Sequence, residues 1–284
     1  MNPVLHAARL GLSRGWIEFK QQLTSVSDLA FTVISTAAFI LVLYLQRDAT
    51  VPGTNVSLAA ATLPGVLALM IAVGSLLGAI GALSVEREDG TLLRAKALPQ
   101  GMVGYLVGRV VSLSVSTVAS IFLIAVAGVV LVPAVREIPP GGWLVVALVT
   151  VLGILFSLPL GAIIGALSPN PQSGTGIAML TIGAVTSISG IFYPISALAG
   201  WMQGLAQAFP VYWLGLAMRS GMLPDAAAAA ELGGSWRTTL TFTVLVAWTV
   251  VALLLAPPVL RRMARRESGS AMEQRRVRAM QRIT

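Results

Sequence analysis

The chain has 284 residues, of which 56% are hydrophobic and 11% are charged, and its formal net charge is +8. Soluble domains average about 45–50% apolar and about 25% charged residues, so this composition excludes an ordinary water-soluble globular protein. The sequence has no cysteine and one histidine, which excludes thiolate chemistry, and we predict no catalytic residue and no metal site. The basic residues flank apolar stretches, so we assign the positive charge to membrane lipid and expect no nucleic acid partner.

Residues 1–28 predict a cytoplasmic helix that lies in the membrane interface. Apolar residues recur every three or four positions from Leu5 to Leu23 and fall on one face of a helix that carries Trp16. Such an apolar stripe between charged flanks is typical of an amphipathic helix at headgroup depth. The alternative is a helix that packs on a soluble partner, and the two interpretations are compatible if that partner lies against the membrane.

Six apolar stretches follow, and each is of a length to cross a bilayer, which needs about 20 apolar residues per helix. We therefore predict an all-α integral membrane protein, with a six-helix transmembrane domain over residues 29–259 and a basic cytoplasmic tail over residues 260–284. The predicted spans are Leu29–Leu45, Leu63–Leu83, Val110–Val132, Trp143–Leu167, Gly174–Tyr193 and Thr238–Val259.

The basic residues orient these spans. If both termini lie on one side, that side holds fifteen Lys and Arg residues and the opposite side holds four. Because cytoplasmic loops carry the excess of Lys and Arg, we predict that both termini and residues 84–99 are cytoplasmic, in a multi-pass protein of the inner (cytoplasmic) membrane. Only two of the nineteen basic residues are lysine, a bias that favours a bacterial origin.

The charged segment between the second and third spans, residues 84–99, predicts a contact with a soluble protein. Six of the eleven residues from Glu86 to Lys96 are charged. Acidic side chains can pair with basic groups of a partner, a glycine allows a sharp change of direction, and two leucines can enter an apolar notch. The alternative is a solvated loop whose charges only satisfy topology. The predicted contact residues are Glu86, Arg87, Glu88, Asp89, Gly90, Thr91, Leu92 and Leu93.

A second unusual segment, residues 193–219, precedes the last span on the external side. Its apolar stretch between two prolines is too short to cross a bilayer and too apolar for a free loop. We predict one or two short re-entrant or surface helices, which are tolerated at membrane depth only where they pack against protein. The residues that mark this segment are Tyr193, Pro194, Trp201, Pro210 and Arg219.

The span interiors contain no ionisable residue, and the chain has no G-x-x-x-x-G-K-[ST] motif for ATP. Charged residues inside spans usually mark ion or proton pathways, so their absence favours an energy source outside the chain.

Gly11-Leu-Ser-Arg-Gly15 matches the letters of a nucleophile elbow, but without the strand–turn–helix context that such an elbow needs. Small residues at helical spacing predict close packing of spans: Gly74, Gly78, Gly81 and Ala82 on the second span, Ser112, Ser116 and Ser120 on the third, and Gly161 and Gly165 on the fourth, which Pro159 should kink.

Three blocks of the sequence carry a family resemblance: Glu86–Arg94 with Leu98-Pro99, Gly190–Ser196, and Phe209–Tyr212 with Arg219. They resemble the permease subunits of type-two ATP-binding-cassette (ABC) exporters, and within them the drug-efflux branch of daunorubicin-resistance permeases. The chain departs from the pattern at Ala199-Gly200, where many relatives have a proline.

The resemblance implies a transporter of two permeases and two ATPase subunits. Residues 84–99 would dock on an ATPase subunit, and that subunit, not this chain, would bind ATP and Mg²⁺. The second permease would be the same chain, in a homodimer, or a paralogue. The first and fifth spans and the external helices would form the contact between the permeases.

The expected function is therefore that of a permease subunit without enzymatic activity of its own, in an ABC exporter that moves an amphipathic or lipid-like substrate, such as a drug, out of the cell. The alternative is a stand-alone secondary transporter or channel, and a third interpretation, an intramembrane enzyme, is disfavoured by the absence of cysteine and buried carboxylates. Because the spans offer hydroxyl groups but no charge, we expect an apolar, hydroxyl-lined path. The lining candidates are Thr32, Ser35, Thr36, Thr181, Thr186 and Ser187.

Overall fold

The computed structural model describes residues 2–50, 57–168, 171–191 and 195–266. Within these ranges the regular elements are helical, apart from one isolated bridge between Thr50 and Ser57. The prediction of an all-α protein is confirmed. Six spans were predicted, with a charged segment after the second span and short external helices before the sixth. Helices occupy the six stretches, and further short helices join them at both ends of the bundle.

Eleven α-helices lie in the described part of the chain. They are α1 (Pro3–Gln22), α2 (Val26–Gln46), α3 (Leu58–Glu88), α4 (Thr91–Ala97), α5 (Gly101–Leu131), α6 (Pro133–Arg136), α7 (Pro140–Leu167), α8 (Pro171–Ile188), α9 (Gly200–Ala208), α10 (Pro210–Met222) and α11 (Thr238–Arg266). Two 3₁₀ helices cover Ile195–Ala197 and Asp225–Ala230.

Four of these helices, α3, α5, α7 and α11, have 28 to 31 residues and are apolar enough to cross a membrane. At a rise of 1.5 Å per residue they are roughly 42–46 Å long, which exceeds the hydrocarbon layer of about 30 Å. The chain is therefore a multi-pass membrane protein. The first and fifth predicted spans correspond to α2 and α8, which are shorter apolar helices.

The long helices extend past the predicted span ends. The second span was predicted to end at Leu83 and the third to begin at Val110, but α3 continues to Glu88 and α5 already begins at Gly101. Likewise α11 continues through two prolines to Arg266, beyond the predicted end at Val259. The rest of the predicted tail lies outside the described residues. These extensions carry charged residues beyond the apolar bundle and position the site described below.

The centre of the bundle is α3, which packs most extensively on α7. The predicted close packing at Gly161 and Gly165 is confirmed, because a Cβ at Gly161 would lie 2.4 Å from the Leu76 carbonyl oxygen and one at Gly165 3.2 Å from Ile80 Cα. The close packing predicted at Gly74, by contrast, is not made within the described chain, where a Cβ would have no neighbour within 4 Å. Pro159 lies inside α7, and the helix continues past it.

The predicted N-terminal helix exists as α1, and it lies along the first half of α5. Glycines form the contact: a Cβ at Gly11 would lie 2.4 Å from the carbonyl oxygen of Gly104, and a Cβ at Gly15 would lie 2.4 Å from that of Gly108. Small residues four positions apart let two helix backbones approach closely. The apolar stripe that contains Trp16 is exposed on the other side, where it remains available to lipid.

Candidate functional site

The connection between α3 and α5 is built around a seven-residue helix, α4. It begins after Gly90, whose φ of 78° is in the left-handed region that favours glycine. The Asp89 side chain accepts a hydrogen bond from the backbone N–H of Thr91 at 2.8 Å and caps the helix. The turn at Gly90 therefore reverses the chain, and α4 lies against the ends of the neighbouring long helices.

One apolar side of α4 is buried in the protein itself. Leu92 is only 1% exposed and packs in a cluster with Leu83, Tyr105, Leu260 and Met263 from α3, α5 and α11. Leu92 was predicted to enter a notch on a partner, and the structure instead places it in contact with its own chain. Leu93, the other leucine, is half-buried.

Two cations of this segment bind the carboxyl ends of long helices. The Arg87 guanidinium donates to the carbonyl oxygens of Gly165 and Ser168 at 3.1 and 3.2 Å, at the end of α7. The Lys96 ammonium donates to the carbonyl oxygen of Ala264 at 2.8 Å, near the end of α11. A helix end has unpaired carbonyls and partial negative charge, so a cation there is stabilising. These contacts fix α4 relative to α7 and α11.

Glu86 lies inside a charged network, not on the surface. Its carboxylate accepts a hydrogen bond from the Tyr105 hydroxyl at 2.6 Å and forms an ion pair with Arg109, and its side chain is 7% exposed. From α1, Arg14 approaches the same carboxylate at 3.8 Å, and Glu18 lies 2.7 Å from Arg14 and 3.4 Å from Arg109. The network joins α1, α3 and α5.

The placement of Glu86 differs from the expectation that it pairs with a partner. The physical reason is the extra turn of α3, which carries Glu86 next to α5 and α1 instead of into a loop. Removing one member of a buried ion pair leaves an uncompensated charge, so this carboxylate is held by its own chain. The side chain of Glu88 lies outside the described residues. Asp89 is exposed and caps α4.

The surface that α4 offers to the outside is basic and apolar instead of acidic. Arg94 is exposed, and Leu98, just after the helix, is 64% exposed. Between this surface and α1 lies a groove of about 530 Å³. Its lining residues are Ala7, Leu10, Gly11, Arg14, Thr91, Arg94, Ala95, Leu98, Pro99, Gly101, Gly104 and Tyr105.

At the other end of the molecule, the predicted external segment forms α9 and α10. Nearly every residue of α10 is buried, including Pro210, against α3, α7 and α11, whereas Trp201 on α9 is 71% exposed. Arg219 is buried, forms an ion pair with Glu231, and donates to the carbonyl oxygen of Gly190 at 3.2 Å. Two further marker residues, Tyr193 and Pro194, lie outside the described residues.

Sequence reasoning did not find Arg237, which also holds this end together. Its guanidinium donates to the Tyr212 hydroxyl and, at 2.9 Å, to the side-chain oxygen of Gln207, and it stacks over the Trp213 ring at 5.0 Å. Stacking of a cation on an indole ring adds to the hydrogen bonds. The signal in the sequence was the basic residue immediately before an apolar helix on the predicted external side, where basic residues are scarce.

The six lining candidates lie on two separate helices. On α2, Thr36 is buried and Ser35 donates to the carbonyl oxygen of Thr32 at 3.1 Å. On α8, Thr186 is buried, Thr181 is exposed, and the exposed Ser187 donates to the Gly183 carbonyl oxygen at 2.7 Å. The main contacts of α2 are with α3 and α5, and those of α8 are with α3. A single copy therefore does not bring the two sets together around one path.

Comparison with known proteins gives one family. The sequence model of the family described as ABC-2 type transporter matches residues 7–223, which extend from α1 to the end of α10. No curated protein matches the chain in sequence. The family match covers more than half of the 284 residues, and it includes both the network around Glu86 and the buried helix α10. The chain belongs to the ABC-2 type transporter family and is a membrane permease of that family.

Proposed function

We propose that the chain is the permease subunit of an ABC exporter and that its ATPase subunit docks on the groove between α1 and α4. Permeases of this family generally work with an ATPase subunit. The groove supports the proposal because it lies on the segment between α3 and α5 and combines exposed apolar surface with the exposed cation Arg94. A helix of the ATPase with an apolar face and acidic flanks would suit it, in the manner of helix-in-groove recognition. ATP and Mg²⁺ would bind to the ATPase subunit.

The contacts of α4 would transmit the movement of a docked ATPase into the membrane. Leu92 packs on α3, α5 and α11, and Lys96 binds the end of α11. Arg87 connects the same segment to α7. Because packed elements move as rigid bodies, a displacement of α4 would tilt the long helices together instead of deforming a flexible loop.

Six spans with cytoplasmic termini fit the sequence and the helix lengths. With 21 and 18 residues, α2 and α8 are roughly 32 and 27 Å long, close to the thickness of the hydrocarbon layer. The fifteen-to-four distribution of basic residues would place α1, α4 and the end of α11 on the cytoplasmic side of the inner membrane of a bacterium. α9 and α10 would then lie on the external side, packed against protein.

Two permeases would enclose the transport path. The exposed side of α8 leaves the side chains of Thr181 and Ser187 uncovered within one chain, and a second copy, or a paralogue, would cover them. The path would be mostly apolar with scattered hydroxyls. It would therefore suit an amphipathic or lipid-like substrate, such as a drug, because an unpaired ion in hydrocarbon costs several kcal/mol.

The test is co-purification of the permease with its ATPase subunit. Leu98→Glu and Arg94→Glu place negative charge on the groove, and both are expected to reduce the recovered ATPase and the ATP hydrolysis stimulated by the permease. Arg47→Glu is the matched control, because Arg47 is a partly exposed arginine that directly follows α2 and does not line the groove. Membrane levels of all three variants should equal those of the wild type. Unchanged ATPase recovery with both groove variants would contradict the proposed docking site, and transport without any ATPase would favour a stand-alone transporter.

A further inference from the structure

A cleft separates α5 from α11 on the outer side of the helix bundle. Both helices pack on inner helices, α5 on α3 and α11 on α7, and the space between them has a volume of about 240 Å³. Leu106 and Val110 of α5 form one wall, Leu253 and Pro257 of α11 form the other, and Ala162 of α7 lies at the floor. The cleft is therefore bounded by four of the helices that are long enough to cross the membrane.

The chemistry of the cleft suits hydrocarbon. A space of 240 Å³ would correspond to roughly eight water molecules at about 30 Å³ each, but apolar cavities of this kind stay dry. Leu106, Val110 and Leu253 are themselves partly exposed on the protein surface, so the cleft opens sideways, towards lipid. An acyl chain would enter from that side.

The end of the cleft nearest α4 is polar. Arg261 is exposed and follows Pro257 by four residues, so it lies on the same face of α11 one turn further on. Arg109 lines the cleft as well, and its Nε atom is buried without a hydrogen-bond partner among the described residues. Because the guanidinium of Arg109 is already paired with Glu86 and Glu18, an amphiphile with its apolar part in the cleft would meet the positive charge of Arg261 at its head.

We propose that this cleft is a binding site for an anionic phospholipid of the inner leaflet, with one acyl chain between α5 and α11 and the phosphate at Arg261. The assignment to the inner leaflet rests on the proposed function, in which the termini and α4 are cytoplasmic. The acyl-chain site rests on the shape and the apolar lining of the cleft. A zwitterionic lipid has the same acyl chains but no net negative charge, so the arginine selects the anionic headgroup. A juxtamembrane Lys or Arg attracts anionic lipid by roughly 1 kcal/mol, or about fivefold in affinity.

The position of the cleft gives the lipid a consequence for α4. Leu83, Tyr105 and Leu260 line the cleft, and the same three side chains belong to the buried cluster that contains Leu92 of α4. A lipid in the cleft packs against this cluster from the membrane side. When the cleft is empty, the cluster borders an unfilled space. Anionic lipid therefore stabilises the position of α4, the helix on which the ATPase is proposed to dock.

The site can be tested by native mass spectrometry of the full-length permease purified without its ATPase, in detergent containing either palmitoyl-oleoyl phosphatidylglycerol or palmitoyl-oleoyl phosphatidylcholine. The wild type is expected to retain phosphatidylglycerol preferentially. Arg261→Gln should reduce that retention about fivefold. Arg262→Gln is the matched control, since Arg262 is exposed in the same turn but points about 100° away around the helix.

A second pair of variants tests the cleft itself. Ala162→Phe fills the floor and should abolish the retained lipid, whereas Ala147→Phe makes the same change at an exposed position of α7 away from the cleft and should have no effect. Equal retention of the two lipids by the wild type, or equal loss in Arg261→Gln and Arg262→Gln, would overturn the proposal even if Ala162→Phe did not fold. Because no ATPase is present, a failure of the proposed docking site would leave these measurements unchanged.

Discussion

The contact between α1 and α5 makes the sharpest prediction, which concerns Gly15→Ala. The new Cβ would lie 2.4 Å from the Gly108 carbonyl oxygen and 2.8 Å from Val111 Cβ. Ordinary carbon contacts lie at about 3.5–4.0 Å, so the two helices would have to separate by about 1 Å. The obstacle is backbone oxygen, which cannot rotate away as a flexible side chain could. Overpacking of this kind costs about 1–3 kcal/mol.

Gly74→Ala is the matched control. It makes the same substitution inside a long helix, α3, at a position where a Cβ would meet nothing within 4 Å. Replacing glycine by alanine in a helix gains about 1 kcal/mol of intrinsic stability, and this gain is common to both variants. In Gly74→Ala the gain falls on α3, whereas in Gly15→Ala it falls on α1, where it offsets part of the clash with α5.

Hydrogen–deuterium exchange of the α1 amides measures this cost directly, because local opening sets the exchange rate. A clash of about 1–3 kcal/mol, less the gain of about 1 kcal/mol from alanine in α1, corresponds to exchange up to about 30-fold faster in Gly15→Ala than in Gly74→Ala. Amides of α7 should exchange alike in both variants, since α7 does not depend on the α1 contact. Equal protection of α1 in the two variants would refute the glycine contact between α1 and α5.

Three further outcomes are expected. Tyr105→Phe removes one buried hydrogen bond to Glu86 and should lower the free energy of unfolding by about 1 kcal/mol, whereas Glu86→Ala leaves Arg109 without its partner and should cost about 3–5 kcal/mol. Thermal unfolding compares the two, and equal losses would contradict the network. Arg219→Met leaves Glu231 as a buried unpaired charge, so adding Glu231→Leu should restore part of the lost stability; a double variant no more stable than the single one would argue against that ion pair. The purified transporter should contain two permeases for two ATPase subunits, and a mass measurement that finds one permease would exclude the dimer.

The sequence predicted the helical class and the approximate place of each long helix, because apolar runs and charge distribution report on lipid directly. It did not predict how α1 packs. Its hydropathy pattern identified the stripe that contains Trp16, but the buried side carries Ala7, Gly11 and Gly15, which contribute little to any hydropathy pattern. The signal was the four-residue spacing of these small residues, repeated at Gly104 and Gly108.

The position of Glu86 differs from the sequence expectation for a related reason. Hydropathy ends a predicted span where charge begins, so Glu86 was assigned to a loop, although helix α3 ends only where Gly90 allows the chain to turn. About one more helical turn places this carboxylate beside Arg109 and Tyr105. Charge reversal at Glu86 therefore tests the fold, and a test of ATPase docking belongs at Arg94 and Leu98.

The distance in sequence between α1 and α5 has a consequence for synthesis. The last residue of α1, Gln22, leaves the ribosome 79 residues before the first residue of α5, Gly101. At about 5–20 residues per second, the glycine side of α1 has no partner for roughly 4–16 seconds. During that interval a newly made α1 can bind the bilayer surface through the apolar stripe that contains Trp16. The stripe stays exposed in the finished fold. The helix can therefore pack on α5 without first leaving the lipid.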